Sequence, residues 1–253
     1  MNTIIKAEKV MKKYGSESAA QTVVLKDIDM KVKEGEFVAI MGQSGSGKST
    51  LLYSISGMDT ISGGRVVFDG TDISSMSMDD MSRVRLEKMG FIFQHSYLLN
   101  DMSIEDNIAL PAMRAKMKSK EEIIAHSNQL MKKMEISGVA KHNIDQVSGG
   151  QLQRAAICRA LINKPRVLFA DEPTGALNRS TTTEVMNLLN RINREGTTIV
   201  LVTHDAKVAA RADRIVYLAD GCIEAECELS RFEESDKEKR EKMTNEWLKE
   251  RGF

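Results

Sequence analysis

The feature that most constrains this chain is a glycine-rich run directly after the apolar residues 37–41. The run consists of Gly42, Gln43, Ser44, Gly45, Ser46, Gly47, Lys48, Ser49 and Thr50. It matches the P-loop pattern, in which a glycine, four arbitrary residues and a second glycine precede a lysine and a hydroxyl residue. The apolar residues predict a buried strand before the loop, and residues 48–55 predict a helix after it.

The chemistry of such a loop suits the phosphates of a nucleoside triphosphate. Glycines let backbone N–H groups approach an oligophosphate closely, and the N-terminus of the following helix attracts anions. Lys48 would add positive charge near the β- and γ-phosphates, and the Ser49 hydroxyl would hold Mg²⁺. A glycine-rich turn without a ligand is the alternative, and the predicted flanking strand and helix favour the nucleotide site.

Composition limits the other classes of function. The chain has 36 Lys and Arg against 36 Asp and Glu, so its net charge gives no argument for nucleic acid or acidic lipid. Cys158, Cys222 and Cys227 form neither a disulfide framework nor a C-x-x-C pair, so we expect a reducing compartment. We expect no signal peptide and no membrane span, because the apolar runs are too short. Any membrane function would then belong to another chain.

The order of predicted elements indicates an α/β protein with a helical insertion. Strands are expected at 3–14, 22–33, 65–68, 90–93, 167–170, 198–203 and 215–218, with a loop at 15–21. Helices are expected at 48–55, 78–89, from Ser103 to Pro111, at 119–135, after Ser148 and at 180–194. Alternating strands and helices favour a parallel sheet. The charged segment 228–253 predicts a solvated helix, with docking to a partner as the alternative.

Polar residues follow four of these strands: Gly42, Gln94, Asp171 with Glu172, and His204 with Asp205. Ligands gather at the carboxyl ends of parallel strands, so we expect these residues to face one nucleotide. Asp171 would bind Mg²⁺, and Glu172 would accept a proton from the water that attacks the γ-phosphate. A solvated turn for the carboxylates and a structural role for His204 are the alternatives.

A second glycine-rich element consists of Ser148, Gly149, Gly150 and Gln151. It directly precedes a predicted helix, which would make its N-terminus a second anion site. A plain helix cap is the alternative. A composite site, in which this element of one copy closes on a nucleotide held by another copy, would account for both glycine-rich elements.

Taken together, these motifs resemble the ATP-binding cassette (ABC) family up to about residue 230. The resemblance identifies Gln94 as the Q-loop, 148–151 as the signature, 167–171 as Walker B, Glu172 as the catalytic base and His204 as the switch histidine. It implies a P-loop NTPase fold of the ABC ATPase type. The fold would have a mostly parallel core sheet (1–94 and 164–230), an N-terminal antiparallel β-subdomain and a helical subdomain (95–163). The charged helix 231–253 would follow.

The same resemblance implies cofactors and partners. ATP and Mg²⁺ would bind in a head-to-tail dimer, between the P-loop of one copy and the signature of the other. Ser49, Gln94 and Asp171 would hold the metal. Tyr14 matches the aromatic residue that stacks on adenine, although it would also serve simply to end a strand.

Finer similarity lies in 90–94, Leu98, Leu99 and 170–177, which resemble the branch of macrolide exporters, lipoprotein-release systems and bacitracin-type antimicrobial-peptide transporters. This implies an ATPase subunit at the cytoplasmic face of the cell membrane. A separate permease would contact residues 95–117 and move an antimicrobial peptide, a lipid-linked molecule or a drug. One alternative is a regulatory module that acts on a membrane partner without transport. Another is a soluble ABC protein acting on DNA or ribosomes, which usually has a second cassette or a long coiled-coil insertion.

Two residues depart from the family pattern. Asn178 stands where the D-loop usually has Asp, and Val147 stands where the signature usually begins with Leu. Because Lys48, Glu172 and His204 are present, we expect ATP hydrolysis to survive. The loss of a charge at Asn178 is expected to affect its rate or the coupling between two sites.

Overall fold

The computed structural model describes residues 2–15 and 21–253. It forms two compact units, one of residues up to Met81 together with Asn193–Phe253, the other of Ser82–Ile192. Most of the predicted loop 15–21 lies outside the described residues. The predicted helical subdomain 95–163 falls within the second unit, and its exact boundaries stay a prediction.

The strands run in this order: β1 (Thr3–Tyr14), β2 (Thr22–Lys33), β3 (Phe37–Met41), β4 (Gly63–Phe68), β5 (Thr71–Asp72), β6 (Met89–Phe93), β7 (Val167–Asp171), β8 (Thr198–Val202), β9 (Arg214–Ala219) and β10 (Cys222–Glu228). The helices are α1 (Lys48–Ile55), α2 (Met78–Lys88), α3 (Ile104–Ala115), α4 (Lys120–Lys133), α5 (Gly149–Leu161), α6 (Arg179–Arg194), α7 (Ala206–Ala209) and α8 (Lys237–Lys249). Residues 95–163, all of them described, contain helices and no strand, as predicted.

The first unit contains an antiparallel sheet and a largely parallel group of strands. The antiparallel sheet has the order β2-β1-β4-β5. In the other group β3 pairs in parallel with β8 and β9, and β10 pairs antiparallel with β9. All residues of β3 and β8 are buried, which is typical of parallel strands covered on both faces. Ile40 lies opposite Val202, so the P-loop and His204 follow at the same edge of this sheet.

In the second unit β6 and β7 pair in parallel, with Phe93 opposite Asp171. Gln94 and Glu172 therefore follow at the same edge of this strand pair. Helix α5 packs closely on β6, because a Cβ atom at Gly90 would lie 2.5 Å from the carbonyl oxygen of Ala160. The helices α3, α4 and α5 pack against one another and bury Ile108, Leu130 and Ile157.

The predicted end of one helix was wrong, and one hairpin strand was not predicted. Helix α3 does not stop near Pro111 but continues to Ala115. Its buried residues lie on both sides of the proline, and their packing outweighs the ~3 kcal/mol that a proline inside a helix costs. Strand β10 was missed, although the Asp220-Gly221 pair between β9 and β10 is a typical hairpin signal.

The C-terminal helix is not a solvated helix over 228–253. Helix α8 buries Arg240, Thr244 and Leu248, which follow one another at the spacing of one helix face. Arg240 is 5% exposed, and its guanidinium donates to the backbone carbonyls of Ala210, Ala212, Leu229 and Ser230. The sequence pattern hid this face because the first of its three residues, Arg240, is charged. None of the helices in the described parts of the chain is long and apolar enough to cross a membrane.

The contact between α8 and the rest of the first unit predicts different effects of two neighbouring substitutions. Arg240→Met leaves several buried carbonyls without a donor, so the free energy of unfolding should fall by about 3 kcal/mol. Lys239→Met changes an exposed residue on the same helix and should have little effect. Urea denaturation followed by circular dichroism measures both, and equal losses would contradict the buried role of Arg240.

Candidate functional site

The P-loop makes a close backbone contact at its first residue. Gly42 has φ 152°, and a Cβ atom there would lie 2.0 Å from the carbonyl oxygen of Leu218 at the end of β9. No other residue fits this position without moving one of the two backbones. The loop is therefore held at the carboxyl end of β3, where the sequence predicted a phosphate site.

The loop opens directly into α1. The N-cap of this helix is Gly47, with φ 101°, and no side chain of the described residues caps it. The first backbone N–H groups of α1 thus face the loop without competition from a capping oxygen. The Lys48 ammonium donates to the carbonyl of Gln43 at 2.8 Å, which folds the lysine over the loop. Ser49 and Thr50 follow in the first turn of α1 and are partly buried.

His204 lies in the same unit and at the same edge as the P-loop. The backbone N–H of Thr203 donates to the carbonyl of Ile40, which continues the pairing of β8 with β3. Asp205 caps α7, because its carboxylate accepts from the N–H of Lys207 at 2.7 Å. His204 is held between these two anchored residues, with its side chain exposed. The structure therefore joins two of the predicted elements, the P-loop and the switch histidine.

The second unit brings together the predicted Walker B and Q-loop residues. Asp171 is the last residue of β7, and Glu172 follows with φ 49°, in the left-handed region that non-glycine residues rarely adopt. Such strained backbone positions cluster at active sites. Gln94 follows β6 and lies against Gly175, where a Cβ atom would be 3.0 Å from its amide nitrogen.

A buried glutamine that sequence reasoning missed connects these elements. Gln153 of α5 is 3% exposed, and its side-chain amide donates to the carbonyls of Phe93 at 3.1 Å and Pro173 at 2.7 Å. Phe93 directly precedes Gln94, and Pro173 directly follows Glu172. The sequence signal that could have identified it is a polar residue on the otherwise apolar face of α5, two positions after Gln151.

The signature element caps α5, as predicted. The Ser148 hydroxyl accepts from the N–H of Gln151, and the Gln151 side chain accepts from the N–H of Ser148. Gly149 and Gly150 form the first turn, and a Cβ atom at Gly150 would lie 2.8 Å from the Thr181 methyl group. The signature and the residues 176–178 line a cavity of about 680 Å³.

Arg154 of α5 lines the same cavity. Its guanidinium pairs with the carboxylates of Glu184 at 2.6 Å and Glu135 at 3.3 Å. The cluster therefore has two negative charges, Glu184 of α6 and Glu135 after α4, and one positive charge, Arg154. The cluster ties α5 to both of them.

Asn178 has a local structural role. Its side-chain oxygen accepts from the N–H of Thr181 at 3.0 Å, directly before α6. Asn and Asp are equally good helix N-caps. The capping function of this position is therefore kept where the family usually has Asp.

A family model described as "ABC transporter" matches residues 25–175, more than half of the chain. The chain belongs to the ABC transporter family. The Macrolide export ATP-binding/permease protein MacB of Mannheimia succiniciproducens is 42% identical over 215 residues, 85% of this chain but 33% of that protein. The chain thus spans about a third of the length of the macrolide exporters it matches.

Two further comparisons cover nearly the whole of the related protein. The lipoprotein-releasing system ATP-binding protein LolD 1 of Chlorobium chlorochromatii is 39% identical over 88% of this chain and 91% of that protein. The dimeric structure of MJ0796, a bacterial ABC transporter cassette, is 40% identical with a TM-score of 0.83, over 90% of this chain and 100% of that chain. The predicted family, its similarity to macrolide exporters and lipoprotein-release systems, and its ABC ATPase fold are confirmed.

The capping role of Asn178 predicts the effect of two substitutions in this ABC cassette. Asn178→Ala removes the acceptor at the start of α6 and should lower the free energy of unfolding by about 1 kcal/mol. Asn178→Asp keeps the acceptor and places a negative charge at the positive end of the helix, so it should be at least as stable as wild type. Urea denaturation of wild type and both variants measures this. A free energy of unfolding as low in Asn178→Asp as in Asn178→Ala would refute the capping role.

Proposed function

We propose that this chain is the ATP-binding and ATP-hydrolysing subunit of an ABC transporter. The observation that carries the proposal is a pair of helices whose first turns lie beside glycines, α1 at the P-loop and α5 at the signature. The first turns of both helices carry backbone N–H groups able to bind an anion, which is the chemistry that triphosphate binding needs. MJ0796, a cassette of the same fold, has been seen as a dimer bound to ADP and Pi.

The roles of the residues follow from their chemistry. The amides of the P-loop, the first turn of α1 and the Lys48 ammonium bind the phosphates, and Tyr14 stacks on the adenine. Glu172 accepts a proton from the attacking water. The oxygen of this water then bonds to the γ-phosphorus, and the bond between the γ-phosphorus and the ADP oxygen breaks. His204 contacts the γ-phosphate and stabilises the charge that develops there.

The donors available for Mg²⁺ fit this ion. Ser49, Gln94 and Asp171 offer hydroxyl, amide and carboxylate oxygens, which are the hard ligands that Mg²⁺ prefers. The described residues contain no cluster of three or more His, Cys, Asp or Glu side chains able to hold a metal alone. Most of the coordination would therefore come from phosphate oxygens and water, as is usual for Mg²⁺ in phosphoryl transfer. The ion would neutralise charge on the β- and γ-phosphates.

The signature element then acts on a second copy of the chain. In the proposed head-to-tail dimer, Ser148, Gly149, Gly150 and Gln151 of one copy close on the ATP that the P-loop of the other copy holds. The cap of α5 leaves the signature backbone fixed before the partner arrives, so little conformational entropy is lost on closure.

The output of this ATPase is transport through a separate membrane permease, at the cytoplasmic face of the membrane. The relatives named above act in macrolide export and lipoprotein release, which favours transport over a purely regulatory output. Export or removal of a drug-like, lipid-linked or antimicrobial peptide substrate fits this branch.

We place the contact with the permease within residues 95–117. This segment exposes the apolar side chains of Tyr97, Leu99 and Met117, by 65%, 50% and 50%. Arg159 of α5 donates to the carbonyls of Ser96 and Tyr97, both at 2.6 Å, which fixes the start of the segment. An exposed apolar surface of this kind suits a protein partner.

Steady-state ATP hydrolysis by the purified chain tests the proposal. Activity per chain should rise with protein concentration, because each complete site needs two copies. Glu172→Gln should bind ATP with near wild-type affinity and lose at least about a hundredfold in turnover, since it removes the general base. Turnover in Glu172→Gln equal to wild type would refute the assignment of the base, and failure of the chain to bind ATP would refute the proposed function.

A further inference from the structure

The side chain of Tyr14 is held by two residues from different parts of the first unit. Its hydroxyl donates to the Asp59 carboxylate at 2.6 Å. The Lys12 ammonium lies 4.7 Å from the centre of the Tyr14 ring, over its face. Lys12 also donates to the other carboxylate oxygen of Asp59 at 2.7 Å and to the carbonyl of Thr60. The three side chains therefore form a closed set, which we call the tyrosine clamp (Lys12, Tyr14 and Asp59).

The clamp differs from an ordinary surface ion pair in its burial. Lys12 is 6% exposed although it lies two residues from Tyr14, which is 44% exposed. Burial acts to raise the pKa of Asp59, but the hydrogen bonds from Lys12 and Tyr14 outweigh it and hold that pKa below its usual value. Burial and the bond to Asp59 raise the pKa of Tyr14. At neutral pH the carboxylate is thus ionised, and the tyrosine keeps the proton that it donates.

Asp59 is itself fixed to the helix that follows the P-loop. Gly57, with φ 61°, ends α1 in the left-handed conformation, and the N–H groups of Met58 and Asp59 both donate to the carbonyl of Tyr53. The Thr50 side chain, in the first turn of α1, acts in the opposite direction to burial and Asp59 and lowers the pKa of Tyr14. Through Asp59, the ring at the end of β1 is thereby tied to the C-terminal end of α1.

We propose that Lys12 and Asp59 are positioning residues that hold Tyr14 as a one-sided platform for the purine base of the nucleotide. This rests on the proposed function, in which Tyr14 stacks on adenine. The Lys12 ammonium covers one face of the ring, so a base stacks on the opposite face. A tyrosine already fixed in one rotamer loses less conformational entropy when the base binds. The link through α1 keeps the base platform at a constant distance from the P-loop that holds the phosphates.

The test compares ADP with inorganic pyrophosphate, which has the phosphates but no base. Isothermal titration calorimetry with Mg²⁺ would measure the affinity of both ligands for wild type, Lys12→Met, Asp59→Asn, Lys12→Arg and Tyr14→Ala. Lys12→Met and Asp59→Asn should weaken ADP binding by about threefold to tenfold, the effect of one newly mobile side chain, and leave pyrophosphate binding within about twofold. Lys12→Arg keeps a positive charge over the ring and should bind ADP with near wild-type affinity. Lys13→Met, at the exposed neighbouring position, is the control.

The outcomes separate this inference from the proposed function. Equal weakening of ADP and pyrophosphate in Lys12→Met and Asp59→Asn would mean that the clamp is merely structural, and would overturn the inference. A loss of ADP affinity in Tyr14→Ala alone, with Lys12→Met and Asp59→Asn unchanged, would overturn only the positioning role. Unchanged ADP affinity in Tyr14→Ala would overturn the adenine contact in the proposed function, and the positioning role with it.

Discussion

The first unit of this protein depends on one steric constraint, the contact between the P-loop backbone and the end of β9. A side chain at Gly42 would collide with the carbonyl oxygen of Leu218, so the loop keeps its position only with glycine there. The register of β3 with β8 and β9 brings the two backbones to this distance. It also sets His204 at the same edge. From this anchored loop α1 begins at Gly47, so the N-terminus that would bind phosphate has a fixed direction.

The second unit is organised around a different interaction, the buried amide of Gln153. Its two donated hydrogen bonds reach the backbone beside Gln94 and beside Glu172, so these two residues, proposed above as the Q-loop glutamine and the general base, share one anchor on α5. The same helix begins at the signature, with Ser148 and Gln151 capping each other. A displacement of α5 by a partner's nucleotide would therefore act directly on both loops. In the proposed dimer, this would be a physical route by which nucleotide binding at the signature affects hydrolysis.

The sequence predicts well the elements whose signals are local. The P-loop, β7 with Asp171, and the Ser148 cap are each encoded within about ten residues by apolar runs, glycines and capping residues. The missed features depend on partners far along the chain. From sequence alone Arg240 is expected to be a solvated charge, because its partners, the carbonyls of Ala210 and Ala212, lie about 30 residues away along the chain. Lys12 is likewise expected at the surface, because its partner Asp59 is 47 residues away. Helix α3 continues past Pro111 because of packing that no local pattern contains.

The central claim is that a complete ATP site requires two copies of the chain. Analytical ultracentrifugation of Glu172→Gln with and without ATP and Mg²⁺ tests it most directly, because this variant should hold ATP without hydrolysing it. We predict one chain without nucleotide and two with ATP. Ser148→Arg in the same background should remain a single chain while still binding ATP at its P-loop. A Glu172→Gln protein that stays a single chain at saturating ATP, with binding verified by calorimetry, would contradict the claim.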